Sequence, residues 1–333
     1  MPNARGASIN RILITGAAGF IGQALANRLA STGHELTLID RLDAKNADPD
    51  LSGLIARDNV TYIEADLTDA AALAALPDDV RTIYHFAAVL GVNDVLRAPD
   101  RVLEVNAACT INVFNYARRT VALGRLVFAS TSEVYAGTLK HFGVPIPTPE
   151  SVALTLEDVA APRTSYALSK IYGEAIAFAW RQTHGVPVTI IRYHNIYGPR
   201  MGFRHVIPET FVKIARAADG VEVPSAEHTR SFCYIDDAVE ATIRCATLAA
   251  TEGRVVHVGS SDREIAMGEL VRVIAGVMGR HVVIRPLPPT PGSPSRRCPD
   301  TSLLAELTGF RAGVDLDEGL ARTWAWYRER LPA

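Results

Sequence analysis

The chain has 333 residues, 48% of them hydrophobic and 21% charged, enough apolar material for one large domain or two interlocked ones and too much for a disordered chain. A formal net charge of -2 offers no basic field to a nucleic-acid backbone, and no uninterrupted apolar run is long enough to span a bilayer, so neither nucleic acid nor membrane is expected as a partner. Cys109, Cys233, Cys245 and Cys298 follow no metal-ligand or disulfide spacing, and the short polar stretch Met1 to Asn10 lacks the apolar core of a signal peptide; a soluble cytoplasmic protein without a metal site is expected.

Ile9 to Thr15 reads as a short buried strand that passes into Gly16-Ala17-Ala18-Gly19-Phe20-Ile21-Gly22, and Gln23 to Ser31 has the apolar spacing of a helix. In such a turn Gly16 permits the tight bend, Gly19 the close approach of backbone to a pyrophosphate, and Gly22 close helix-to-strand packing. The phosphate then sits on the helix N-terminus, at Phe20 and Ile21. Gly33 ends the helix, Glu35 to Ile39 is a second strand, and Asp40 stands where a dinucleotide fold puts an acid on the adenosine ribose. A carboxylate there repels a 2′-phosphate, which favours NAD over NADP; the adjacent Arg41 could serve a 2′-phosphate if Asp40 turned away.

Asp43 to Asp58 reads as a solvent-facing connection with room for one helical turn. Val60 to Glu64 is a third strand, after which Asp66, beside Leu67, is placed to reach the adenine amino group and Thr68 or Asp69 to cap a helix. Arg81 to Phe86 is the fourth strand, with Ala87 and Ala88 offering small side chains where a cofactor passes close to backbone. Asp100 to Ala122 reads as one long amphipathic helix containing Asn106. Leu126 to Ala129 is the fifth strand, and Ser130-Thr131-Ser132-Glu133-Val134-Tyr135 brings three hydroxyls and an acid to its carboxyl end, the edge where open α/β sheets bind ligands.

Tyr166 and Lys170 lie four residues apart on one face of a helix. An unperturbed tyrosine, with a pKa of about 10, is a poor base near neutrality, but a neighbouring ammonium favours its phenolate and lets it take a proton from an alcohol. Val188 to Arg192 reads as the sixth strand, with Tyr193 to Arg200 the loop leaving it. Val255 to Gly259 is a further short strand, and the Met and Val stripe of the Met267 to Met278 helix reads as core. Pro286 to Pro299 holds six prolines, two arginines and one glycine, and Trp324, Trp326 and Tyr327 read as packing in the last helix.

Together, Gly16-x-x-Gly19-x-x-Gly22, Asp40, Asp66-Leu67, Asn106, Ser130 through Tyr135 and Tyr166-x-x-x-Lys170 resemble the extended short-chain dehydrogenase/reductase family, within it the nucleotide-sugar epimerases, dehydratases and decarboxylases. The resemblance covers nearly the whole chain in order. It implies a Rossmann-type doubly wound parallel sheet with a smaller interleaved α/β substrate domain, NAD as cofactor, a nucleotide-diphosphate sugar as substrate, and a homodimer built on the Asp100 to Ala122 and Ser165 to Thr183 helices. The expected limits are 8–192 for the NAD-binding domain, completed by about 232–259, and 193–231 with 260–330 for the substrate domain. By the same resemblance Tyr166 is the general base, Lys170 holds the nicotinamide ribose and Thr131 holds the sugar hydroxyl. Asn195 and Arg230 contact the diphosphate, Asp236 and Asp237 start a helix, and Arg296 or Arg297 reaches the diphosphate or sugar from a loop over the nucleotide. Cys109 stands where the family's Asn-x-x-Gly-Thr has glycine, which bears on helix packing, and His194 stands where an aromatic is common.

The implied chemistry is removal of a proton by Tyr166 from a sugar hydroxyl at C4 while the carbon passes hydride to NAD+ and leaves a keto-sugar. Epimerisation is placed first, with UDP-glucuronate-type decarboxylation beside it. Thr131-Ser132-Glu133 matches the decarboxylases' Thr-Ser-Glu, and Pro162-Arg163 ahead of Tyr166 resembles their Pro-Arg-x-x-Tyr. Dehydratases carry Thr-Asp-Glu, so Ser132 lacks the acid that protonates a leaving hydroxyl, and dehydration and simple reduction rank behind. From another class comes a catalytically idle NAD-binding sensor.

Overall fold

The structure, a computed structural model, describes residues 10–218, 220–289 and 294–332. The segment 1–9 of the N-terminal reading, with the expected domain start and the first residue of the first strand, lies outside the described residues. So do residues 290–293 of the proline-rich run.

Seven strands, β1 (Arg11–Thr15), β2 (Glu35–Asp40), β3 (Val60–Glu64), β4 (Thr82–His85), β5 (Arg125–Thr131), β6 (Val188–Tyr193) and β7 (Val255–Val258), form one parallel sheet. Their order is β7-β6-β5-β4-β1-β2-β3. Continuous apolar stretches in β1, β5 and β6 are buried along almost their whole length, as strands covered on both faces must be. β1 pairs in parallel with both β2 and β4, so the winding direction reverses beside β1. Ligands of open α/β sheets bind at that reversal.

The described residues divide into two compact units. The first runs up to Ser130 and adds Val159–Ile191 and Cys245–Val255; the second holds Thr131–Asp158, Arg192–Arg244 and the residues from Val256 onward. Thr131–Asp158, inside the range 8–192 drawn from the sequence, therefore belongs to the second unit.

In the first unit the helices Pro99–Ala117 and Thr164–His184 pack side by side over Leu13, Ile83, Leu126 and Phe128. Phe114 meets Phe128 with ring centroids 6.5 Å apart. Each such fully buried side chain contributes about 1.5–3 kcal/mol. At Gly173 an added Cβ would run into the Phe128 ring, so the helix rests directly on the sheet. The Asp100 to Ala122 helix stops at Ala117; beyond it the Thr120 hydroxyl turns back to the Tyr116 carbonyl at 3.0 Å. The connection Asp43 to Asp58 is more ordered than its polarity suggested. Asp48 accepts from the Leu51 amide at 3.0 Å, Pro49 occupies the first turn, and a Pro49–Ile55 helix buries Leu51 and Leu54.

In the second unit, Thr229–Ser231 is flanked by Glu264–Ala266, antiparallel, and Arg296–Arg297, parallel. The helices Val206–Arg216 and Leu316–Tyr327 meet through Phe211, whose ring centroid lies 5.2 Å from Trp324 and 5.7 Å from Tyr327. Leu270, Val271 and Ile274 of the Met267–Val277 helix are buried.

Candidate active site

The glycine turn follows from three missing side chains. Gly16 sits at φ +68°, and a Cβ there would lie 2.6 Å from the Ala87 nitrogen. Its amide donates to the Ile39 carbonyl at 2.9 Å, tying the turn to the end of β2. A Cβ on Gly22 would strike the Gly16 carbonyl oxygen, whereas one on Gly19 would meet only that same oxygen, at 3.1 Å. The Phe20–Ala30 helix begins with no side-chain cap and no acid in its first turn. Its first amides and the positive end of its dipole are left for an anion.

Beside this turn lies a cavity of about 360 Å³ lined by Gly16, Gly19, Asp40, Asp66, Leu67, Ala87 and Ala88, and also by Arg41, Arg101 and Cys109. Asp40 accepts from the Ala18 amide at 3.0 Å and the Leu42 amide at 3.2 Å, so its carboxylate faces the glycine turn. Asp66 accepts from the amide and hydroxyl of Thr68 at 2.9 and 2.8 Å. These bonds, with Arg41 and Arg101 beyond them, hold its carboxyl below the usual range. Asp69 accepts from the Ala71 amide. The close backbone at Gly19, the uncapped helix end and a cavity that runs from the glycine turn to Asp40 and Asp66 fit a dinucleotide.

On the Thr164–His184 helix, Lys170 is buried and donates to the Ala129 carbonyl at 2.8 Å. Its Nζ lies 5.9 Å from the centre of the half-buried Tyr166 ring and 5.1 Å from that of Phe128. Burial pulls the Lys170 pKa down to about 8 against the opposing pull of Glu174. Asn106 acts as a bracket: its Nδ2 donates to Ser169 Oγ at 3.0 Å and the Val89 carbonyl at 3.1 Å, and its Oδ1 accepts from the Val89 amide at 2.7 Å. It thus joins the two long helices to the segment Ala87 to Leu90, which lines the cavity. Cys109 leaves the helix unbroken; its thiol, pushed up to about 12 by burial and next by Asp66, is inert packing. Sequence reasoning missed Glu174, which continues the Tyr166 and Lys170 spacing by four residues and accepts from Ser130 Oγ at 2.5 Å. The i, i+4 rule carried that signal.

In the second unit, Thr131 Oγ1 accepts from the Glu133 amide at 3.2 Å and starts the short turn Ser132–Tyr135. Arg297 donates to Glu133 at 2.7 Å. Arg297 registers with Arg230 on the neighbouring strand. Burial, and next the Arg297 charge, push the Arg230 guanidinium down to about 10. Asn195, at φ 43°, donates to the Ser231 carbonyl at 2.9 Å, next to Arg230. Arg296 turns instead to Glu264 with two bonds of 2.9 and 2.6 Å. The second unit therefore brings Thr131, Glu133, Asn195, Arg230 and Arg297 into one neighbourhood and commits the Arg296 guanidinium to Glu264. Tyr166 and Lys170 belong to the first unit and Thr131, Ser132 and Glu133 to the second.

Sequence reasoning also missed a buried network in the second unit. The Tyr135 hydroxyl lies 2.6 Å from His257 Nε2 and accepts from Arg192 at 2.5 Å, while Glu150 accepts from the His257 amide at 2.8 Å. Burial, and next Arg192, bring the His257 pKa down to about 3. Four distant stretches supply these groups, so no local pattern signals them. Among the described residues no group of three or more His, Cys, Asp or Glu is placed to hold a metal ion, and no helix is long and apolar enough to cross a membrane. All four cysteines are free and buried.

A family model described as NAD dependent epimerase/dehydratase family matches residues 12–259. The UDP-N-acetyl-alpha-D-glucosaminuronate decarboxylase of Bacillus cytotoxicus is 32% identical, over 96% of this chain and 98% of its own. UDP-glucuronic acid decarboxylase 1 of Xenopus tropicalis is 29% identical, over 96% and 73%. Among solved structures, a UDP-galactose 4-epimerase matches with a TM-score of 0.77 and 27% identity, covering 96% of this chain and 99% of that one.

Proposed function

As the chain belongs to the NAD-dependent epimerase/dehydratase family, we propose that it removes CO2 from a nucleotide-linked uronic acid by way of a 4-keto sugar. The observation that carries the reading is the 2.7 Å ion pair between Arg297 and Glu133, the acid of the Thr131-Ser132-Glu133 turn. A neutral hexose offers such a pair hydroxyls but no charge to exchange. A uronate brings a carboxylate that Arg297 can take over from Glu133, one charged partner exchanged for another. The two decarboxylase relatives support the reading at the level of whole-chain similarity.

When bound, NAD would supply a reversible hydride acceptor for the sugar carbon C4. Tyr166 accepts the C4 hydroxyl proton, the Lys170 ammonium favours the phenolate electrostatically and holds the nicotinamide ribose, and Thr131 positions the sugar hydroxyl. The 4-keto uronate is a β-keto acid: the C5 to carboxyl bond breaks, its electron pair moves to the C4 oxygen, CO2 leaves and C5 takes a proton. The Tyr166 hydroxyl stabilises the developing enolate oxygen. Gly16, Gly19, Phe20, Ile21, Gly22, Asp40, Asp66, Leu67, Ala87 and Ala88 hold the dinucleotide, with Asn106 fixing the adjoining segment. Arg230 and Asn195 bind the nucleotide diphosphate. Exposed Tyr172 and Phe178 on one long helix and Leu103 on the other support a homodimer, and the four free thiols suit the cytoplasm.

Epimerisation at C4 stands as the second reading, favoured by the match to a UDP-galactose 4-epimerase. Incubation of the protein and NAD+ with UDP-glucuronate, and separately with UDP-glucose, followed by mass analysis, tests the choice. A product lighter by CO2 from the uronate upholds decarboxylation. An isomer of unchanged mass transfers the assignment to epimerisation, loss of water to dehydration, and inertness toward every nucleotide sugar to the sensor.

A further inference from the structure

His194 is 2% exposed, yet neither of its ring nitrogens has a hydrogen-bond partner. A buried imidazole without partners is costly unless something completes it. It lines a cavity of about 20 Å³ together with Ser132, Thr148, Arg296, Arg297 and Cys298. A sugar ring cannot enter a space of that size, whereas one oxygen atom can. The rings of His257, 4.4 Å away between centroids, and Tyr135, at 6.4 Å, pack around it.

We propose that His194 is a specificity-determining residue that donates to a single oxygen of the substrate's uronate carboxylate within this cavity, beside Ser132 and Arg297. The inference rests on the decarboxylase reading and extends it to a residue that reading leaves out. Burial, with His257, Arg297 and Arg192 around it, holds the imidazole neutral, its pKa well below the usual value. A neutral ring keeps one N–H to give and one nitrogen to receive. The charges that act on it, Arg297 and Arg192, favour an anionic oxygen over a hydroxyl. A buried water would bring the same oxygen chemistry, and the experiment separates the two sources.

The test is calorimetric titration of NAD-loaded Tyr166→Phe protein, which binds without turning over, with UDP-glucuronate, UDP-glucose and UDP. Adding His194→Phe keeps the ring packing and removes both nitrogens. The expected result is a loss of roughly ten- to a hundred-fold in affinity for UDP-glucuronate alone, with UDP-glucose and UDP unchanged. His194→Gln, which restores a donor, recovers most of the loss and serves in place of the phenylalanine variant, against His194→Leu, if that variant fails to fold. Equal affinities before and after substitution, or an equal loss for all three ligands, mean that the oxygen is a water's and overturn the proposal. Selective uronate binding without CO2 release by the unmutated enzyme keeps this inference and ends the decarboxylase reading. CO2 release with unaltered uronate binding by His194→Phe does the reverse.

Discussion

The two units offer opposite means of recognition. Around the glycine turn of the first unit the donors are backbone amides and a helix end, and selectivity comes from side chains that are missing. In the second unit the candidate groups are charged side chains, Glu133, Arg230 and Arg297, set at 2.7 Å or in direct strand register. Backbone geometry suits any ligand with a pyrophosphate, whereas paired charges discriminate by the ligand's own charge. The first arrangement fits a cofactor common to many reactions, the second a decision about which reaction follows.

Variants of each unit should therefore fail differently. The largest expected effect is in the first unit: Tyr166→Phe lowers turnover by about 10²–10⁴-fold while NAD affinity, read by calorimetry, stays unchanged. Next, Arg297→Met lowers kcat/KM for CO2 release on the order of 100-fold with NAD affinity intact; an equal effect on NAD would erase the contrast between the units. Gly22→Ala does the opposite, weakening NAD by roughly tenfold and costing about 1–3 kcal/mol of stability in denaturant melts, because its Cβ meets the Gly16 carbonyl.

Proton titration sharpens the same contrast. A lysine whose pKa is lowered loses its charge as pH rises through the shifted value, so turnover should fall above about pH 8, where Lys170 deprotonates. Arg230 titrates only near pH 10, so UDP-sugar affinity measured on Tyr166→Phe should persist across that interval. Arg297 carries the smallest comparison: its sequence neighbour Arg296 holds an exposed pair with Glu264, and Arg296→Gln should change kcat/KM less than about twofold.

Most of the first unit was legible because its signals are local. Strand, glycine turn, helix and Asp40 follow one another within a single βαβ passage, and Tyr166 and Lys170 share one helix face. The Pro49–Ile55 helix was announced by Asp48-Pro49 but masked by the surrounding polarity. In the second unit, strand register decides which of two adjacent arginines meets Glu133, and Arg297 is separated from that acid by 164 residues. Tyr135, Glu150, Arg192 and His257 likewise come from separate stretches that only tertiary packing joins.

One anchor differs in kind from the rest. Lys170 donates its hydrogen bond to a main-chain oxygen, that of Ala129, near the carboxyl end of β5. Every amino acid carries that oxygen, so no replacement at position 129 can delete the acceptor, however much it disturbs the neighbours. The ammonium is moored to the polypeptide itself, and only displacement of the strand could cast it loose.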